Sequence, residues 1–200
     1  GKELKLAAEV DASVSDFMTT ARLYCSGLNF TFNPHRMILN KVTDCYLTRE
    51  DGERIEIQDD QLYRVVTDLY TGQMLGSVME MSYGLLKIEP KDKDGNPIEN
   101  LEDQAIMEGD KELKAWDAIA RYMKSFDDTD GNGISNVPEY YETTHGRKVV
   151  DESRNVIDLV KNPNKFSVMI VGIVLVLILI IILLVVLIRK LIKKRRRKKK

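Results

Sequence analysis

Histidine, cysteine and catalytic signatures are all sparse in this chain, and each scarcity removes a class of function. The two histidines, His35 and His145, stand beside Pro34 and before Gly146, at a turn and at an expected helix end. Two isolated imidazoles do not build a dinuclear metal centre. Cys25 and Cys45 are too few for a disulfide framework, and both lie in strand-like apolar contexts that predict buried thiols. There is no Walker loop, no G-x-S-x-G elbow and no Cys/His cluster. No internal repeat is present, and Asn155 to Phe166 reads NVIDLVKNPNKF, without an LPxTG-like signal for transfer to a cell wall. On its own residues the chain carries no evident catalytic centre.

What the chain does have is one long apolar run. Phe166 to Ile188 (FSVMIVGIVLVLILIIILLVVLI) counts 23 residues, interrupted only by Ser167 and Gly172. At about 1.5 Å per residue it makes a helix of roughly 34 Å, slightly longer than the ~30 Å hydrocarbon core of a bilayer. Its length and position exclude a signal peptide. Ten of the twelve residues from Arg189 to Lys200 are Lys or Arg, so this tail is expected in the cytoplasm. There the run RRRKKK would attract anionic lipid head groups at about 1 kcal/mol per charge. A nucleic-acid partner is the weaker reading, because the charges abut the span.

The net charge of −1 hides an asymmetry: without the ten tail charges, 20 basic residues face 31 acidic ones, leaving −11. This acidic part is expected outside the cell membrane, where its charge keeps it soluble and can draw divalent cations. The chain opens at Gly1 without an initiator Met or an export signal, and the expectation is that further residues precede it in the parent. Nothing in the pattern sets an oligomeric state.

Periodicity predicts a mixed α/β domain. Gly1 to Val14 reads as a helix with Leu4, Ala7, Ala8 and Val14 on one face. Leu23 to Phe32 and Ile38 to Thr48 read as extended segments; Leu28, Phe30 and Phe32 alternate on one face, and Asn33-Pro34 ends the first segment. Asp51-Gly52, before Arg54 to Ile57, is a hairpin dipeptide. Leu62 to Tyr70 (LYRVVTDLY) and Val78 to Glu89 are expected as two more strands, and Lys91 to Pro97 as a polar turn. Asn100 is expected to cap a short helix through Met107, and Asp110 a longer one. In the longer helix Leu113, Trp116, Ile119, Ala120 and Met123 form an apolar stripe read as core, a partner-binding face being the alternative. The organisation is thus a mixed sheet covered by helices over residues 1–126 and a second module over 127–147. A membrane-proximal stalk with a hinge near Pro163 follows over 148–165, then a transmembrane helix over 166–188 and a basic tail over 189–200.

The sharpest local pattern is Asp128-Thr-Asp130-Gly-Asn132-Gly133-Ile-Ser-Asn136-Val-Pro-Glu139. Oxygen-bearing side chains alternate along it, Gly133 permits a sharp turn, and such alternation can wrap Ca²⁺. Glu139 stands at the twelfth position from Asp128, where an EF-hand places its bidentate carboxylate, but Ile134 comes one position early. The spacing D-x-D-x-N-G-x-x-N is more similar to the calcium loops of thrombospondin type-3 repeats. Asp128, Asp130, Asn132, Asn136 and Glu139 are therefore the candidate ligands. The competing reading is a solvated loop that ends one helix and starts another at Pro138. A bound calcium would stiffen the joint between domain and stalk.

The segments GKELKLAAEV, YCSGLNFTF, YRVVTDLYTGQ and GDKELKAWDAIARYM, in this order and spacing over residues 1–126, resemble the C-terminal domain of the 5'-nucleotidase family. The span and basic tail resemble membrane-anchored bacterial members. The resemblance implies a parent with an N-terminal calcineurin-like metallophosphatase domain, absent from this chain, that holds two divalent metals and the catalytic histidine. It also implies hydrolysis of a nucleotide or other phosphoester outside the cell, with this incomplete domain positioning the base. In the family two aromatic rings sandwich the nucleobase, and Tyr70 occupies the place of the second; a core or rim tyrosine is the plainer alternative. The family's G-G-D-G-aromatic loop is replaced by Thr71-Gly-Gln-Met-Leu-Gly-Ser77, with Gly76 at the aspartate's place, a departure that points toward a different phosphoester. The rival reading is a non-catalytic surface binding or adhesion module on a calcium-stiffened anchor.

Overall fold

The alternating apolar residues of β1 seed a four-stranded sheet in the computed structural model, which describes residues 1–14 and 22–198. In chain order the main elements are α1 (Lys2–Val14), β1 (Leu28–Phe32), β2 (Val42–Thr48), β3 (Arg54–Glu56) and α2 (Leu69–Met81). They continue with β4 (Met107–Glu108), β5 (Lys111–Glu112), α3 (Ala115–Lys124), β6 (Lys148–Val150), α4 (Val156–Val160) and α5 (Lys165–Lys198). The sheet order is β3-β2-β1-β6, antiparallel except where β6 joins β1 in parallel. Gly52 turns the β2–β3 hairpin at φ 85°, the positive value that the Asp51-Gly52 dipeptide is suited to adopt. The mixed sheet and the first helix therefore follow the pattern of the sequence.

α1 lies on this sheet. Ala8 and Ala12, four residues apart on one face, pack on Phe30, with Phe32, Val42 and Cys45 at the edge of the cluster. Two buried carboxylates lock the helix in place. Glu9 accepts from the amides of Lys41 (2.6 Å) and Val42 (2.9 Å), at the entry to β2, and from the Ser13 hydroxyl. Asp11 accepts from Leu23 N at 2.6 Å and pairs with Lys148 of β6 at 2.9 Å. Both cysteines are free and half-buried rather than fully buried. Burial pushes the Cys25 thiol up, and the Cys45 thiol up to about 11.

The expectations for residues 62–124 need correction. Residues 62–68 form no strand among the described residues, and the expected strand at Val78 is the end of α2. Asp68 is the N-cap: its carboxylate accepts from Thr71 N (2.9 Å) and Thr71 Oγ1 (2.7 Å). Gly72, Leu75 and Val78, at three-residue intervals, are buried or half-buried on the helix, and this pattern outweighs the β-propensity of the preceding valines. Asn100 caps only a 3₁₀ turn, Leu101–Gln104. Asp110 caps nothing, because Gly109 and Asp110 form the turn of the β4–β5 hairpin, with Gly109 at φ 62° and Glu108 opposite Lys111. α3 starts later and rests on that hairpin through Arg121, bonded to Glu108 (2.6 Å) and Asp117 (2.5 Å). Its stripe is not core: Trp116 is 71% and Ile119 60% exposed. α1 already covers the Phe30 face on which such a stripe would lie.

Nor do residues 148–165 form a free stalk. Lys148–Val150 is β6, and Asn33, at the end of β1, donates to Ser153 O at 2.7 Å. The buried Arg36 guanidinium reaches three carbonyls, those of Asn40 (2.7 Å), Asp158 and Lys161 (2.6 Å), and so caps the C-terminal end of α4. Asn164 then opens α5: its Oδ1 accepts from Phe166 N and Ser167 N, both at 3.0 Å, and its Nδ2 donates to Leu39 O. Phe166 is only 6% exposed and packs with Val10 and Leu86. The expected hinge at Pro163 is thus held between two tethered neighbours. From Val171 to Arg195 the large side chains of α5 are exposed, and Lys165–Arg195 is long and apolar enough to cross a membrane. Lys199 and Lys200 of the basic tail lie outside the described residues.

Candidate functional site

The Asp/Asn-rich segment folds on its own hydrogen bonds. Asp128 is its centre: Oδ1 accepts from Gly131 N (2.8 Å) and Asn132 N (3.2 Å), and Oδ2 from Gly133 N (2.8 Å). These amides, Gly133 foremost, hold the Asp128 carboxyl below the usual carboxylate range. Asp130 accepts from the Asn132 backbone and side-chain nitrogens, and Asn132 Oδ1 from Ile134 N at 2.8 Å. Gly131 and Gly133 take φ 71° and 84°, which side chains with a Cβ resist. Asn136 closes the neck, its Oδ1 accepting from Thr129 N (2.7 Å) and Thr129 Oγ1 (3.0 Å).

Of the five candidate ligands, Asp128, Asp130 and Asn132 are thus brought together. Asn136 stands at the neck, and Glu139 begins the 3₁₀ turn Glu139–Glu142 behind Pro138. Among the described residues no three His, Cys, Asp or Glu side chains are placed to share one metal ion. The all-oxygen donor set matches calcium in kind. Its carboxylates, however, already serve the loop's amides.

Beside this loop lies an aromatic cluster that the sequence reading missed. The Tyr140 ring stacks on His145 with centroids 4.0 Å apart and planes at 18°. Tyr122 meets Phe126 edge-on at 5.0 Å, and Phe126 meets Tyr141 at 5.6 Å. The hydroxyls of Tyr122 and Tyr141 share a hydrogen bond, which pushes the Tyr141 phenol above its usual range. A concavity of about 420 Å³ opens between cluster and loop, lined by Phe126, Thr129, Asn136, Pro138 and Glu139 among others. The available signal was the four-residue spacing of Tyr122, on α3, and Phe126, just past its end, followed by the Tyr140-Tyr141 pair.

Tyr70 does not follow a strand. It is the second residue of α2, with its side chain 59% exposed, so it is not a core residue. Residues 71–77, aligned above with a glycine-rich loop, are helical. No family model, curated protein or solved structure matches this chain.

Proposed function

We propose that this chain is a single-pass membrane anchor that carries an acidic surface module, held at a fixed attitude outside the membrane, whose exposed 122–145 face takes up a cation or a partner. The joint carries this reading. Arg36, Asn164 and Phe166 fasten the domain to α5, and from Val168 onward α5 offers apolar side chains to its surroundings. The basic residues after Ile188 favour a tail inside and an acidic domain outside. Calcium would be held by Asp128, Asp130 and Asn132, with Asn136 and Glu139 completing the shell after rearrangement of the neck. Thermal melting of the chain in nanodiscs tests the cation. Calcium should raise the Tm, and Asp128→Ala with Asp130→Ala should abolish the rise. A Tm indifferent to calcium in the unaltered chain removes the metal and leaves the anchor.

A second reading draws on the exposed ring of Tyr70. In it the chain is the substrate-recognition domain of a cell-surface 5'-nucleotidase-like metallophosphoesterase, whose two metals lie in a catalytic domain outside this sequence. In such a parent, Tyr70→Ala should raise the KM for a nucleotide with kcat little changed. An unchanged KM would dismiss the stacking role.

A further inference from the structure

We propose that the turn formed by residues 82–85 is a second membrane contact, a tyrosine-tipped loop seated in the head-group layer of the bilayer that α5 enters. The proposal rests on reading α5 as a membrane span. α2 ends in a Schellman arrangement, in which Gly84 N donates to Met79 O (2.8 Å) and Tyr83 N to Glu80 O (3.1 Å). The residue after the cap must then enter the left-handed region, a place usually given to glycine. Here it is Tyr83, at φ 52°, and Gly84 follows at φ 80°. That conformation is unfavourable for a side chain with a Cβ, and no contact among the described residues compensates, because Tyr83 is 100% exposed. Leu85 is half exposed beside it. A strained residue with an unused aromatic side chain calls for an occupant outside the chain.

The depth of this turn is fixed by its neighbour. The Ser82 hydroxyl accepts from Leu86 N at 2.9 Å, and Leu86 turns inward to pack with Val10 and Phe166. Phe166 opens the apolar run, whose roughly 34 Å exceeds the ~30 Å hydrocarbon core by only about 2 Å at each end. Its level is therefore the boundary between acyl chains and head groups. Tyr83 and Leu85 stand three residues and one residue from Leu86, near enough along the chain to reach that level, where a phenol ring is favoured for its apolar body and polar tip. Residues 81–86 (MSYGLL) carry no charge that would resist entry. Lys165, whose ammonium lies 4.9 Å from the Phe166 ring centroid, supplies a cation for lipid phosphates at the same level. Contact at two points, α5 and the tip of the α2 turn, would set the tilt of the whole domain.

Depth-dependent fluorescence quenching in phosphatidylcholine nanodiscs tests this. With the single tryptophan removed by Trp116→Phe, a probe is placed by Tyr83→Trp, by Leu85→Trp, which leaves the strained position untouched, or by Leu177→Trp in mid-span. Both turn probes should be quenched several-fold more by lipids brominated near the head group than by lipids brominated near the chain ends, and shielded from aqueous iodide. The mid-span probe should show the opposite lipid preference. Turn probes open to iodide and insensitive to brominated lipid, with the mid-span probe quenched, overturn the loop contact and leave the span intact. If the mid-span probe is also insensitive, the span itself fails. Shielding from iodide without lipid quenching means that protein covers the turn, which equally overturns the proposal.

Discussion

Replacing Arg36 by alanine should loosen the domain from α5 without dismantling the sheet. The guanidinium makes three bonds to backbone carbonyls, to Asn40, Asp158 and Lys161, and is buried in the joint between the 33–41 turn and α4. Hydrogen bonds involving a charged group contribute about 1.5–3 kcal/mol each. Against this, the freed carbonyls near α4 regain water and the desolvation of the guanidinium is relieved, so the net loss is about 2–4 kcal/mol. At about 2–4 °C per kcal/mol for a domain of this size, the Tm should fall by about 4–16 °C. Arg36→Lys should recover only part, because one ammonium cannot span the three acceptors as a planar fork does. Hydrogen exchange in nanodiscs localises the effect: the amides of Lys161 and of residues 166–168 should lose protection, while the β1–β2 ladder keeps its own. A Tm unchanged within about 2 °C, with protection around Asn164 intact, would refute the view that Arg36 holds the joint.

Three further outcomes follow from other parts of the molecule. A chain ended after Asn164 should be soluble but less stable than one ended after Ser167, by about 3–4 kcal/mol, since only the longer form keeps Phe166 against Val10 and Leu86; equal denaturant midpoints would contradict the packing. Cys45, pushed from its ordinary 9.0 to about 11 by burial, should react with a thiolate-specific reagent about a hundredfold more slowly than a free thiol near neutral pH. Because the folded chain keeps a proton that the unfolded chain gives up, stability should be flat below about pH 9 and fall as pH rises toward 11. A Cys45→Ser variant that shows the same fall would assign it elsewhere. Trp116, 71% exposed on α3, should emit as solvated indole and be quenched freely by acrylamide in the intact chain. A blue-shifted, shielded emission would mean that the α3 stripe is covered.

The parts of the fold legible in the sequence are those set by local chemistry. Ala7 and Ala8 on one helical face, the alternation through Phe30, and Asp51-Gly52 each lead directly to an observed element. Residues 62–81 misled because Val65, Val66 and Tyr70 favour strands, whereas the start of α2 is decided by one Asp68 carboxylate bonded to Thr71. Asp110 is a good cap by type, yet Gly109 before it makes a tighter hairpin. The amphipathic stripe of α3 was read as core because periodicity reports a face and not what covers it. β6 and the Arg36 clamp were invisible for another reason: they join residues more than a hundred positions apart, and no local pattern encodes such pairing. In the Asp/Asn-rich loop, the meeting of Asp128, Asp130 and Asn132 in one hydrogen-bonded turn was legible from alternation alone. The stacking of Tyr140 on His145 was not, since it depends on a 3₁₀ turn bringing the ring back over the imidazole.

The claim on which the rest depends is a single-pass anchor with the acidic domain outside, and protease protection on sealed, right-side-out vesicles addresses it most directly. After an alkaline carbonate wash the chain should remain with the membranes. Added protease should then remove the domain before Lys165 and leave a protected fragment that retains an epitope placed after the basic tail. Release of the whole chain by carbonate, or loss of the tail epitope while the domain stays intact, would contradict the account.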